Sequence, residues 1–176
     1  MFDYETPIHK SLIEPKAERV LSTEKKYELG KGESFIVLEE KSKKVFDIFV
    51  DFVNHGVCGL CLTRVFPKIL KESYGFEKTS ILWLTTLNVE EGISPKDLKR
   101  LEYLIQEFLK MTKNSIILLD GLEYLVVMNN FKKVLKFLNN VVDAVALKSS
   151  NLLVSICPDT FYQNELEFLR RKFRIL

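Results

Sequence analysis

Neither G-x-x-x-x-G-K-[ST] nor G-x-G-x-x-G occurs anywhere in the 176 residues, and glycine is scarce at seven. Phosphate cradles are built from backbone N–H groups that glycine lets approach closely, so the usual means of gripping a nucleotide is missing. Histidine is limited to His9 and His55, and no serine or cysteine lies in a nucleophile elbow, so a hydrolytic triad has no support. The three cysteines are an odd number, which fits a reducing compartment better than a disulfide framework. No segment reaches the roughly 18 consecutive apolar residues of a membrane span. The charged opening MFDYETPIHKSLIEPK has no apolar run of signal-peptide length. The expectation is a cytoplasmic protein with no membrane partner.

Neither sign of charge dominates. Lys+Arg 26 against Asp+Glu 24 gives +2, so there is no overall drive toward nucleic acid, and such a partner is not expected. The basic run Arg170, Arg171, Lys172 and Arg174, partly offset by Glu165 and Glu167, reads as a solvated helix face. Glutamine occurs only at Gln106 and Gln163 while Lys and Glu abound, a thermophile-like bias that the many asparagines oppose.

What is present is a pattern. With 47% hydrophobic residues the chain can bury one core. Residues 1–29 read as an extension broken by Pro7 and Pro15, with a short helix over LIEPKAERVL, and residues 30–176 as a single α/β domain. Five strand-length apolar runs follow: SFIVLEE (34–40), VCGLCLTR (57–64), SILWLTT (80–86), Ser115 to Asp120, and NLLVSI (151–156). Between them lie helical stripes. Val45, Phe46, Phe49, Phe52 and Val53 form one over 45–56, stopped by Gly56, and Pro67 opens a short helix through Ser73. The stretch 94–112 has Ser94 as N-cap, Pro95 at the first helical position, and Leu98, Leu101, Ile105 and Phe108 facing inward. Asn130 caps a helix with stripe Phe131, Val134, Leu138, Val141 and Val145, and Pro158 with Asp159 starts a last helix burying Phe161, Leu166 and Leu169. Unbroken apolar strands alternating with amphipathic helices predict a three-layer α/β sandwich around a mostly parallel sheet of about five strands.

Ligands of such sheets bind beyond the carboxyl ends of the strands. Those ends carry Glu39 and Glu40, Thr63 and Arg64, Thr85 and Thr86, Asp120, and Cys157 with Asp159; the candidate ligand-binding set taken from them, with Glu123 three residues beyond Asp120, is Glu39, Glu40, Arg64, Thr85, Asp120 and Glu123. After the first strand, where a nucleotide hydrolase would place its phosphate loop, stands EEKSKK (39–44), with no glycine and two carboxylates. Asp120 ends a strand as a magnesium-organising carboxylate would, and with Glu39 and Glu40 could form a metal-binding cluster. Asp before Gly also favours a tight turn whose side chain caps the next segment, and this second reading is preferred. No metal and no cofactor are expected.

The C-G-L-C of residues 58–61 lies in a strand, where residues three apart point to opposite faces, so it reads as buried thiols rather than a redox or zinc pair. A phosphoacceptor domain would need a lysine at the end of the last strand, and Cys157-Pro158 stands there.

The segments FIVLEE, GLCLTR, ILWLT, ILLDGLEYLVVMNNF and VLKFLNNVVDAV resemble, in order and spacing, an archaeal family known as domain of unknown function 835, over about residues 30 to 170. The resemblance implies a degenerate relative of RecA-like ATPases, P-loop-like without a phosphate loop, in which LLDG falls where those enzymes keep their second nucleotide motif. It implies no activity. The expectation is a non-catalytic regulatory or protein-interaction domain, in signal transduction, with an unidentified protein partner. The alternative is a small-ligand or nucleotide sensor that binds without hydrolysis, with Arg64 and Thr85 touching the ligand.

Overall fold

The computed structural model describes residues 24–76 and 79–176; the helix expected over LIEPKAERVL lies outside them. In chain order the elements are β1 (Ser34–Leu38), α1 (Lys44–Asn54), β2 (Gly59–Thr63), α2 (Pro67–Tyr74), β3 (Ser80–Leu84), β4 (Gly92–Ile93), α3 (Leu98–Met111), β5 (Ile116–Asp120), α4 (Leu122–Asn129), α5 (Phe131–Leu147), β6 (Asn151–Ile156), a 3-10 turn (Pro158–Thr160), α6 (Gln163–Lys172) and β7 (Arg174–Ile175). The strands form one sheet in the order β4-β3-β2-β5-β6-β1-β7, and every pairing is parallel.

Successive strand residues point to opposite faces, and each face has its own core. Phe35, Val37, Cys61, Ile116, Leu118 and Leu153 face α1 and α2, meeting Phe46, Phe49, Phe52 and Leu70. Ile36, Leu60, Leu62, Ile117, Leu119, Leu152 and Val154 face the other way, toward α3, α4, α5 and α6. Residues before β1 join the first layer: Tyr27 and Leu29 pack on its core, and the backbone N–H groups of Lys26 and Tyr27 donate to Asp51.

The sheet has seven strands rather than five, because β4 and β7 are two-residue edge strands, too short to show any period. Helix α3 starts later than expected: Asp97, not Ser94, is the N-cap, its carboxylate accepting from Arg100 N at 3.0 Å. Its fully buried residues are Leu101, Ile105 and Leu109, with Leu98 and Phe108 only partly covered. Asn130 caps α5 as expected, accepting from Lys133 N at 3.0 Å, and Phe137 joins its buried stripe. Cys61 is buried, but Cys58 precedes β2 and is exposed, so only one thiol of the pair belongs to the core.

Candidate functional site

The alternation of β2, β5 and β6 determines which side chains meet at the carboxyl edge. Thr63, Asp120 and Ser155 each lie two residues beyond a member of the α1-side core (Cys61, Leu118 and Leu153), so all three project toward α1. The parallel register sets them side by side, Thr63 opposite Asp120 and Asp120 opposite Ser155. Glu39 extends β1 by one ladder bond, Glu39 N to Ile156 O at 3.0 Å. The β1–α1 connection then crosses above this row.

A continuous polar chain results. Thr63 Oγ1 donates to Asp120 Oδ2 at 2.8 Å while accepting from Val65 N at 3.0 Å. The other Asp120 oxygen, Oδ1, lies 2.6 Å from Ser42 Oγ; Ser42 Oγ lies 3.0 Å from Ser155 Oγ; and Ser155 Oγ lies 3.2 Å from Glu39 Oε1. Two hydroxyls carry two protons, yet three contacts link Asp120 to Glu39 through them. With both carboxyls ionised, both protons point outward and the Ser42–Ser155 contact has none. With Asp120 protonated on Oδ1, every contact is filled in one direction: Asp120 to Ser42, Ser42 to Ser155, Ser155 to Glu39. Burial raises the Asp120 pKa, opposed by its bonds from Ser42 and Thr63 and by the nearby Arg64 charge.

The far end of the chain is an anion site. Helix α1 begins with backbone N–H groups that have no partner within the helix and that carry the positive end of its dipole. The Glu39 carboxylate takes them: Oε2 accepts from Lys43 N at 3.1 Å and from Lys44 N at 2.8 Å, and Oε1 from Val45 N at 3.2 Å. No side chain within α1's own N-cap does so. This is where a phosphate loop would present the same kind of groups to a nucleotide.

The other expected site residues divide. Asp120 is not the cap that the turn reading expects: its side chain bonds Ser42 and Thr63, and Gly121, at φ 131°, holds the N-cap position of α4 with no side-chain bond. Glu123 sits in the first turn of α4 and accepts from Cys157 N at 2.7 Å, tying α4 to the end of β6; burial raises its pKa, against the effect of that bond. Arg64 is exposed, its guanidinium 4.3 Å above the Tyr124 ring, and its carbonyl accepts from Trp83 Nε1 at 3.2 Å. Thr85 is buried, and its hydroxyl accepts from Leu87 N at 3.1 Å. Glu40 is exposed, bonded to none of the described residues. The structure thus brings Glu39 and Asp120 into one network with Ser42, Thr63 and Ser155, which were not among the expected site residues. The signal available for Thr63 and Ser155 was the period of two counted from the apolar strand residues. Among the described residues no group of three or more His, Cys, Asp or Glu side chains is placed to hold a metal, and the Glu39 and Asp120 oxygens all take protein hydrogen bonds.

The chain matches, over residues 38–173, the family described as protein of unknown function DUF835. It belongs to that family. No curated protein sequence matches it. Among solved structures, the DUF835 chain is similar to the flagellar accessory protein FlaH from Methanocaldococcus jannaschii, with a TM-score of 0.58 and 14% identity, covering 82% of this chain and 70% of that one. The fold is accordingly RecA-like. In the sheet β6 separates β1 from β5, and Asp120 ends β5.

Proposed function

We propose that this chain is a non-catalytic regulatory or protein-interaction domain, working in signal transduction or as an accessory part of an assembly. The observation that carries the reading is the Glu39 carboxylate on Lys43, Lys44 and Val45 N–H. A nucleotide phosphate would have to displace a tethered anion from the groups it needs, and would then meet two carboxylates, Glu39 and Asp120. Tethering favours the internal occupant, because its effective concentration is on the order of millimolar or more. Phosphoryl transfer depends almost wholly on such positioning and charge stabilisation. Steady-state ATP and GTP hydrolysis with magnesium tests this. Rates at the buffer blank are expected for wild type and Asp120→Ala alike; turnover by wild type that Asp120→Ala abolishes would sink the reading.

A further inference from the structure

The surface that could serve such an interaction role lies away from the carboxylate network. A groove of about 640 Å³ runs between the first halves of α3 and α5. Lys96, Lys99, Lys133 and Lys136 line it, and none of the four makes an ion pair with a described residue. The two carboxylates in the lining are turned to other uses. Asp97 caps α3 through Arg100 N, and Glu102 Oε1 accepts from Asn140 Nδ2 at 3.0 Å and Gln106 Nε2 at 3.4 Å, bridging the two helices. Both helices precede parallel strands, so both start at the same edge, and their dipoles add positive potential to that of the lysines. The lining also has an apolar part: Phe137 and Leu98 lie below, and Tyr103, 59% exposed, stands at the rim.

We propose that this groove docks an acidic, amphipathic segment of a protein partner, its carboxylates meeting the lysines and its apolar side chains covering Tyr103 and the partly exposed Leu98. The proposal rests on the protein-interaction reading and names its partner class. Charge complementarity of this kind sets specificity and encounter rate, while the apolar strip and the aromatic supply the anchor. A nucleic acid fits less well, since the lining combines its lysines with apolar side chains and the whole chain carries only +2. An anionic bilayer fits less well too, since the lysines lie along a concave groove rather than a protruding apolar face.

The test is fluorescence anisotropy with a labelled peptide of Glu-Leu-Glu-Glu-Leu repeats, against its Lys-for-Glu counterpart, a labelled poly-uridine and phosphatidylserine vesicles. The acidic peptide alone is expected to bind, more weakly as salt rises. Lys133→Glu with Lys136→Glu should weaken it about tenfold or more, whereas Lys68→Glu with Lys71→Glu on α2 should not; circular dichroism checks that each variant is folded. Absence of acidic-peptide binding, or tighter binding of RNA or vesicles, would overturn the proposal. Peptide binding that the groove variants leave unchanged would overturn it as well, while leaving the interaction reading in place, because another face would then be the docking surface. Nucleotide turnover, measured separately, is what counts against that reading itself.

Discussion

Replacing Asp120 by asparagine and by alanine separates the protonated from the ionised form of the carboxyl network. Asparagine imitates the protonated acid: its carbonyl accepts from Thr63 Oγ1, and its amide donates to Ser42 Oγ, which frees Ser42 to donate to Ser155. Alanine removes both acceptor oxygens. Ser42 can turn to Ser155, but Thr63 is fully buried and its hydroxyl proton loses its acceptor. One stranded buried donor costs about 1–3 kcal/mol, or roughly 2–10 °C in Tm for a chain of this size. The pH dependence has a definite sign. The folded-state pKa of Asp120 lies above its ordinary value of 3.8, so between the two values the folded protein binds more protons than the unfolded chain. Stability is then greatest on the acid side and declines as pH rises through the folded pKa. Asparagine has no such proton to lose. Urea unfolding at mildly acidic and at neutral pH should therefore show Asp120→Asn close to wild type in acid and equal or more stable at neutrality, with Asp120→Ala least stable throughout. An asparagine variant as unstable as the alanine one at both pH values would refute the proton accounting.

Other expectations come from the packing. Gly59 has no room for a side chain, since a Cβ there would stand 2.7 Å from Phe49 Cζ and Val53 Cγ2; Gly59→Ala should cost about 1–3 kcal/mol in urea unfolding, and a neutral result would mean that the α1–β2 contact is looser than described. With a thiol reagent under native conditions Cys58 should react readily and Cys61 only on unfolding, because Cys58 is exposed while burial pushes the Cys61 thiol well up. Equal rates for the two would contradict the placement of β2.

The strands and long helices were legible because each leaves a period. Phe46, Phe49 and Phe52 repeat at helical spacing, and the apolar runs ending at Thr63, Asp120 and Ile156 are strand-length and bounded. Helix α4 was not legible: the apolar residues of LEYLVVMN are spread around the helix, leaving Val127 exposed, and give no stripe to read. The α3 start was misplaced because Ser94, Pro95 and Asp97 are all good helix-start residues, and only the fold decides that Asp97 supplies the cap. Glu39 and Asp120 were visible as strand-end carboxylates, but their roles were not. The capping of α1 by a residue outside its own N-cap depends on how the β1–α1 connection folds back, and the hydroxyl relay through Ser42 joins residues 78 and 113 positions apart in sequence. Such contacts come from strand order and register, which local pattern does not encode.

If Glu39 fills the anion site at the start of α1, calorimetric titration of pyrophosphate into wild type and Glu39→Ala will distinguish the two proteins. Removing the carboxylate should cost about 0.5–2 kcal/mol of stability, as loss of a helix cap does, and should leave Lys44 and Val45 N–H open to an added anion, with Lys43 N–H still shared with Lys41 O at 2.6 Å. No binding heat is expected in wild type and saturable binding in Glu39→Ala, with pyrophosphate restoring part of the lost stability. Pyrophosphate binding by wild type as tight as by the variant would contradict it.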